Sequence, residues 1–291
     1  MEQTFLKEIT DNKNILAWNN QIAPEDVIPQ DISPEERYEK LEKKIFRGVG
    51  RAIGDFNLIE EGDHLLVGVS GGKDSWTMLH VIHELQKRAP INFTLTAVNL
   101  DQGYSGFRQD VIEDYLEMKG IKFYTEHKNI AQIVEEKSSP GSIACSLCSR
   151  LRRGSLYGIA EQLGCNKIAL GHHLDDFVET LLLNQFFVGR TSSMAVKLLS
   201  DDKKNVVIRP LVYVSEKDII EYTELMKFPI VCCQCPLACG TEAFTDHKRR
   251  MVKDMLTSLE EKIPFIKNSL LSSLGNIRPA HMLDKNLWKF E

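Results

Sequence analysis

Short apolar runs and longer amphipathic ones alternate through the middle of the chain. His64 to Val69, Phe93 to Leu100, Ile121 to Thr125, Lys167 to Leu170 and Val206 to Leu211 are rich in Val, Ile and Leu and short enough to be strands. The segments Ser75 to Lys87, Gly106 to Lys119, Arg150 to Leu163 and Asp175 to Phe187 predict helices between them. Such alternation predicts parallel pairing through right-handed crossovers, hence an α/β fold with a doubly wound, mainly parallel sheet. Its ligand is expected at the carboxyl ends of the strands. Ser33 as N-cap, Pro34 and Glu35-Glu36 open a helix running to about Phe56. Toward the C-terminus, Ser215 caps a helix over Glu216 to Met226 and Thr245 to Glu260 predicts another, while Leu270 to Phe290 shows no clear pattern. The expected organisation is a loosely ordered extension over 1–33, a helical segment over 34–60, the α/β domain over 61–215 and a helical region with a Cys-rich loop over 216–291.

Composition narrows the class. A chain of 291 residues, 43% hydrophobic and 26% charged, is expected to be soluble and globular. There is no apolar run of about 18 residues, and Met1-Glu2-Gln3-Thr4 lacks a signal-peptide layout, so the expected location is the cytoplasm and no membrane partner is predicted. The formal net charge of −5 argues against an all-round basic surface for nucleic acid, leaving local patches. Candidates are Lys40, Lys43, Lys44, Arg47 and Arg51 at helical spacing, the Arg150, Arg152, Arg153 group, and Lys248-Arg249-Arg250. Seven cysteines, an odd number, speak against a disulfide framework. Cys145 and Cys148 form a Cys-x-x-Cys, Cys165 stands alone, and Cys232, Cys233, Cys235 and Cys239 crowd together, a distribution that suits a metal or cluster.

The densest chemistry lies in Val67-Gly68-Val69-Ser70-Gly71-Gly72-Lys73-Asp74-Ser75, an apolar strand entering a Gly-Gly turn and then a helix. The glycines let backbone N–H groups close on a phosphate and the helix directs its positive end there. Lys73 adds a cation, and Ser70 and Ser75 add hydroxyls. Asp74 would repel a phosphate and is better explained by a bridging Mg²⁺. The spacing is not that of a Walker A loop. A second loop, Gly171-His172-His173-Leu174-Asp175-Asp176, follows the fourth strand at the same expected edge. Its carboxylates and imidazoles suit Mg²⁺ or phosphate chemistry, and Asp175 and Asp176 equally suit a helix N-terminus through the dipole.

Ser70 to Ser75 resemble the PP-loop of the ATP pyrophosphatases. Together with Ala144-Cys145-Ser146-Leu147-Cys148-Ser149-Arg150-Leu151-Arg152-Arg153-Gly154 and the His-His-x-Asp-Asp loop, they resemble the tRNA 2-thiocytidine synthetase family. Val98-Asn99-Leu100-Asp101-Gln102, Leu199-Ser200-Asp201-Asp202, Ile208-Arg209-Pro210-Leu211 and Asp284-Lys285-Asn286-Leu287-Trp288 extend the resemblance over about residues 35 to 291. It implies 2-thiolation of cytidine 32 in the tRNA anticodon loop, using ATP, Mg²⁺ and a [4Fe–4S] cluster held by three cysteines. The C2 oxygen would be adenylated and AMP displaced by sulfide carried on the cluster. By position, Ser70, Gly71, Gly72, Lys73, Asp74 and Ser75 would bind ATP, with Val98, Asn99, Leu100, Gly171 and His172 beside it. Lys73, Asp74, Arg152, Asp175 and Asp176 would be catalytic. Cys145 and Cys148 would hold the cluster with Cys235, Cys233 and Cys239 being alternates, because Cys232-Cys233-Gln234-Cys235-Pro236-Leu237-Ala238-Cys239-Gly240 departs from the family's Cys-x-x-Cys-Gly. Implied partners are tRNA, a cysteine desulfurase or other sulfide donor, and a second copy in a homodimer. Two alternatives stay open: a related PP-loop enzyme acting on another tRNA base, and a non-enzymatic zinc or Fe–S module that binds RNA or senses redox state.

Overall fold

The computed structural model describes residues 28–29, 32–137, 144–200, 203–235 and 247–288. Most of the 1–33 extension, Asp201, Asp202, Cys239 and Phe290 lie outside them.

Helix α1, Pro34–Phe56, starts where its cap predicts: Ser33 Oγ accepts from the Glu36 N–H, and the helix ends on Asn57 in the left-handed region. Leu41, Ile45, Val49 and Ala52 form its buried stripe. Then follow β1 (His64–Gly68), α2 (Lys73–Gln86), β2 (Thr94–Asp101), α3 (Gln109–Met118), β3 (Phe123–His127), α4 (Ile130–Lys137), α5 (Ala144–Leu163), β4 (Lys167–Ala169) and α6 (Leu174–Phe187). After these come β5 (Lys197–Leu199), β6 (Val206–Ile208), α7 (Glu216–Met226), α8 (His247–Lys262) and α9 (Ile266–Ser273). Ser215 caps α7, its Oγ accepting from the Asp218 N–H.

By contacts the chain divides into two units, each made of separate stretches of sequence. The larger one, Gln30–His173 with Ala195–Asp246, holds the sheet. Among the described residues six strands pair in the order β3-β2-β1-β4-β6-β5, all parallel except β5, which runs antiparallel to β6. From β1 the chain winds outward through β2 and β3, then returns to the other side of β1 as β4. The carboxyl ends of β1 and β4 therefore flank the switch point where an open α/β sheet takes its ligand. Buried Leu65, Leu66, Val67, Ala97, Val98, Ile168 and Ala169 make the sheet's core, as strands covered on both faces require. Lys167, 4% exposed, is neutralised by Asp63 at 2.6 Å and Glu60 at 2.7 Å.

Three elements differ from the expectation. Helix α5 begins at Ala144, so the Cys-x-x-Cys sits on its first turn and not ahead of it. Helix α4 and strand β5 are additional; β5 has three residues, all exposed, and next to it the Ser200 N–H donates to the Asn205 carbonyl while the Asn205 N–H donates to Ser200 Oγ. A strand without a buried face leaves no alternation to read.

The smaller unit contains α6, α8 and α9. Phe177, Leu181, Val252, Leu256 and Leu271 are buried. Helix α9 runs into the stretch that lacks a readable pattern, and two short 3₁₀ turns, Pro279–His281 and Lys285–Leu287, follow it.

Candidate active site at the carboxyl edge of the sheet

At the end of β1 the chain is anchored twice: the Val69 N–H donates to the Val98 carbonyl at 2.8 Å, and Asn99 Nδ2 donates to the Val69 carbonyl at 2.7 Å. Asn99 is 1% exposed and its Oδ1 has no hydrogen-bond partner, an acceptor awaiting a donor. Gly71 turns the loop at φ +85°, where a Cβ would lie 2.9 Å from the Val231 Cβ. The Val231 N–H donates to the Gly71 carbonyl at 3.0 Å, and Trp76 Nε1 donates to the Pro229 carbonyl at 2.9 Å. These bonds stitch the segment leading into the cysteine group onto the loop after β1.

Gly72 caps α2 without a side-chain bond, so the helix N-terminus offers its N–H groups to an anion. The serine hydroxyls shape this turn: Ser75 Oγ donates to the Gly72 carbonyl at 2.8 Å and accepts from the Ser70 N–H at 3.2 Å. Lys73 Nζ stands 3.0 Å from Asp74 Oδ1 and 3.2 Å from Glu216 Oε1. Burial acts to lower its pKa, but the two carboxylates outweigh burial and raise it, keeping the ammonium charged at neutral pH. Asp74 Oδ1 makes no aligned hydrogen bond despite its ion pair, and His173 Nε2 lies 3.6 Å from it. A carboxylate oxygen placed so is a fit ligand for Mg²⁺ beside bound phosphates.

The loop after β4 approaches closely. Arg209 Nε donates to His172 Nδ1 at 3.3 Å, and a Cβ on Gly171 would fall 3.1 Å from the Asp74 carbonyl carbon and 3.2 Å from the Ser75 nitrogen. Both neighbours are backbone, so they yield only if the loops part. Gly171→Ala is expected to cost about 1–3 kcal/mol of the geometry that cradles phosphate, read as a roughly 5- to 100-fold rise in the Kd for ATP by calorimetry. An unchanged ATP affinity would show that the loops are free to separate.

Beside the phosphate cradle lies a cavity of about 340 Å³, lined by Ser70 and Gly72, by Gln102, Tyr104 and Arg152, and by Cys145, Cys148, Cys233 and Cys235. Cys145 and Cys148 are three residues apart on α5 and so share a face, which Arg152 continues one turn on. Cys233 and Cys235 flank Gln234, whose φ of +56° turns the chain between them. Cys148 Sγ donates to Gln102 Oε1 at 3.4 Å. Burial raises the Cys148 pKa, Arg152 works against it, and the neighbouring thiols raise it further. Burial, a hydrogen bond with Cys235 and the surrounding thiols drive the Tyr104 hydroxyl above its ordinary pKa.

Four of the seven cysteines thus converge, and none of the four is in a disulfide. Cys165 is buried in the apolar cluster of Leu66, Ile159 and Ile168, where burial pushes its pKa up to about 11. The expectation of no disulfide framework meets one exception, since Cys232 is disulfide-bonded. Val98, expected beside the nucleotide, packs its side chain into the same apolar cluster as Cys165 and presents only backbone at the edge. Gln102, Tyr104 and Val231 had not been marked as site residues. The first two follow the end of β2, where the switch-point rule would have placed them.

Asp175 and Asp176 belong to the smaller unit. Asp175 is 3% exposed and pairs with Lys267 at 2.8 Å, while Arg249 lies 3.6 Å from Asp176 and 3.1 Å from Glu179. Their observed contacts tie α6 to α9 and α8. The sequence had offered these carboxylates both to a metal and to the helix N-terminus, and the ion pairs give them a third, structural use.

A family model described as a PP-loop domain matches residues 38–231. The tRNA-cytidine(32) 2-sulfurtransferase of Geobacter sulfurreducens is 54% identical over 245 residues, covering 84% of this chain and 94% of that protein. The protein of the same name from Geobacter metallireducens is 53% identical over 249 residues, covering 86% and 95%. Among solved structures, the U34-tRNA thiolase NcsA from Methanococcus maripaludis, determined with its [4Fe–4S] cluster, shares the fold at a TM-score of 0.63 and 24% identity, covering 83% of this chain and 81% of its own.

Proposed function

We propose a mechanism from one premise: the chain belongs to the PP-loop family and, within it, to the tRNA-cytidine(32) 2-sulfurtransferases. Its function is ATP-dependent thiolation of tRNA. The observation that carries the site assignment is one cavity lined by the phosphate-binding turn, Arg152 and four cysteines outside any disulfide.

Thiolating cytidine C2 requires a better leaving group than the carbonyl oxygen. The turn Ser70 to Ser75 would hold ATP so that the C2 oxygen attacks the α-phosphate, pyrophosphate departs and AMP is left on that oxygen. Lys73 and the N–H groups at the start of α2 bind the phosphates and stabilise the charge developing on them. Asp74 would carry the Mg²⁺. Arg152, in the cavity wall, is placed to face the adenylated base and its departing AMP. Sulfide attack at C2 then breaks the bond to the AMP oxygen and restores the ring.

Four thiols line one cavity, and they are the residues that would hold a [4Fe–4S] cluster. Cys145, Cys148 and Cys235 would hold the cluster, with Cys233 or Cys239 as alternates, and a cluster held by three thiolates supplies sulfide beside the activated carbon. Cys239 lies outside the described residues. The proposal includes a cysteine desulfurase or other sulfide donor, and a homodimer. It places the enzyme in the cytoplasm; none of the described helices is long and apolar enough to cross a membrane.

Mass spectrometry of nucleoside digests of tRNA tests the reaction. Cells lacking the gene are expected to lose 2-thiocytidine and regain it when the gene is restored; loss of 2-thiouridine in its place would assign another base.

A further inference from the structure

The chain carries a net charge of −5 and must grip a polyanion through local cations. Most candidate cations are already committed. On α1, Lys44 pairs with Asp218 at 2.8 Å, Lys43 with Glu39 at 3.8 Å, and Arg51 with Asp55 at 3.2 Å while stacking on Tyr213. On α8, Lys248 sits over the Phe187 ring, Arg249 pairs with Asp176 and Glu179, and Arg250 lies 4.0 Å from Asp254.

Arg150 and Arg153 differ. Both are exposed, and neither makes an ion pair, hydrogen bond or ring contact among the described residues. Glu135 and Glu136 on α4, which packs against α5, do not neutralise them; Glu136 instead accepts from Gln132 at 2.8 Å. The two arginines are three residues apart on α5 and share its solvent flank, while Arg152 between them lines the cavity with Cys145 and Cys148. A base entering that cavity brings its own and adjacent phosphates to the cavity mouth. Loop bases can be unstacked at modest cost, and planar guanidiniums match phosphate oxygens in pairs.

We propose that Arg150 and Arg153 form the dock for the anticodon-loop phosphates flanking the target cytidine, an assignment that rests on the tRNA-thiolase reading. The helix that carries the Cys-x-x-Cys would then also set the position of the RNA backbone, coupling nucleotide placement to the cluster site.

The test is fluorescence anisotropy of holoenzyme with an anticodon stem-loop RNA carrying cytidine at position 32, titrated over a range of salt concentrations. An Arg150→Gln/Arg153→Gln protein is compared with Lys43→Gln/Arg51→Gln and with unmodified enzyme, iron content and ATP affinity being measured on each. The α5 pair is expected to flatten the log–log salt slope by about 1.4, roughly 0.7 per phosphate contact in a single-stranded loop, with iron and ATP binding unchanged. The α1 pair should leave the slope intact. A wild-type slope in the α5 variant overturns the proposal; if that variant also slows sulfur transfer from an acidic persulfide-bearing protein, the surface belongs to the donor. Failure of the unmodified holoenzyme to bind the stem-loop overturns the tRNA reading and this dock with it.

Discussion

Lys73→Ala and Asp74→Ala proteins are expected to fold and retain iron while losing thiolation, with kcat/KM for tRNA falling by roughly 10²-fold or more. In the proposed mechanism Lys73 binds the phosphates and Asp74 carries the Mg²⁺. Their side chains are 28% and 30% exposed and belong to the first turn of α2, so neither substitution opens a cavity in the core. Losing the Lys73 ion pairs with Asp74 and Glu216 should cost less than about 1 kcal/mol once solvent screening is counted. Thermal unfolding and iron content separate this outcome from misfolding. Near-normal modification by either purified variant would remove the loop from the chemistry.

Cys145→Ala and Cys148→Ala should have the opposite signature: iron and activity lost together, ATP binding preserved. Both thiols lie on the first turn of α5 and face the cavity, and Cys145 is exposed, so its removal leaves no packing defect. Cys165→Ala is the control. It removes a buried neutral thiol among Leu66, Ile159 and Ile168, costing about 1 kcal/mol of stability and no iron. Among the later cysteines, Cys235→Ala is expected to lose iron and Cys233→Ala to keep it. The reverse would reassign the third ligand and leave the mechanism standing. Full iron content after substitution of Cys145, Cys148 and each later cysteine in turn would refute the three-thiolate cluster.

Sequence alone determined those features whose causes are local. The strand–helix alternation, the cap at Ser33 and the phosphate-binding turn depend on residues within about one helical turn of each other, as does the Cys145–Cys148 spacing. Each could therefore be read without knowing the fold. Helix α4 and strand β5 escaped because one is brief and the other has no buried face.

Tertiary structure decided which groups are spent and which are available. On the basic stripe of α1, Lys44 meets Asp218 at 2.9 Å, a partner 174 residues away. Asp175 and Asp176, suited by sequence both to Mg²⁺ or phosphate chemistry and to a helix N-terminus, pair with Lys267 and Arg249 from distant parts of the chain. Val98 lies at the correct strand end, but its side chain points into the core. Cys233 and Cys235 were two of the three candidates for the third ligand; the Val231–Gly71 hydrogen bond and the turn at Gln234 bring them to the cavity, while Cys232 is taken by a disulfide. Residue type and spacing reveal what a side chain can do, but its charge balance and direction are set by contacts across the fold, which no window along the chain contains.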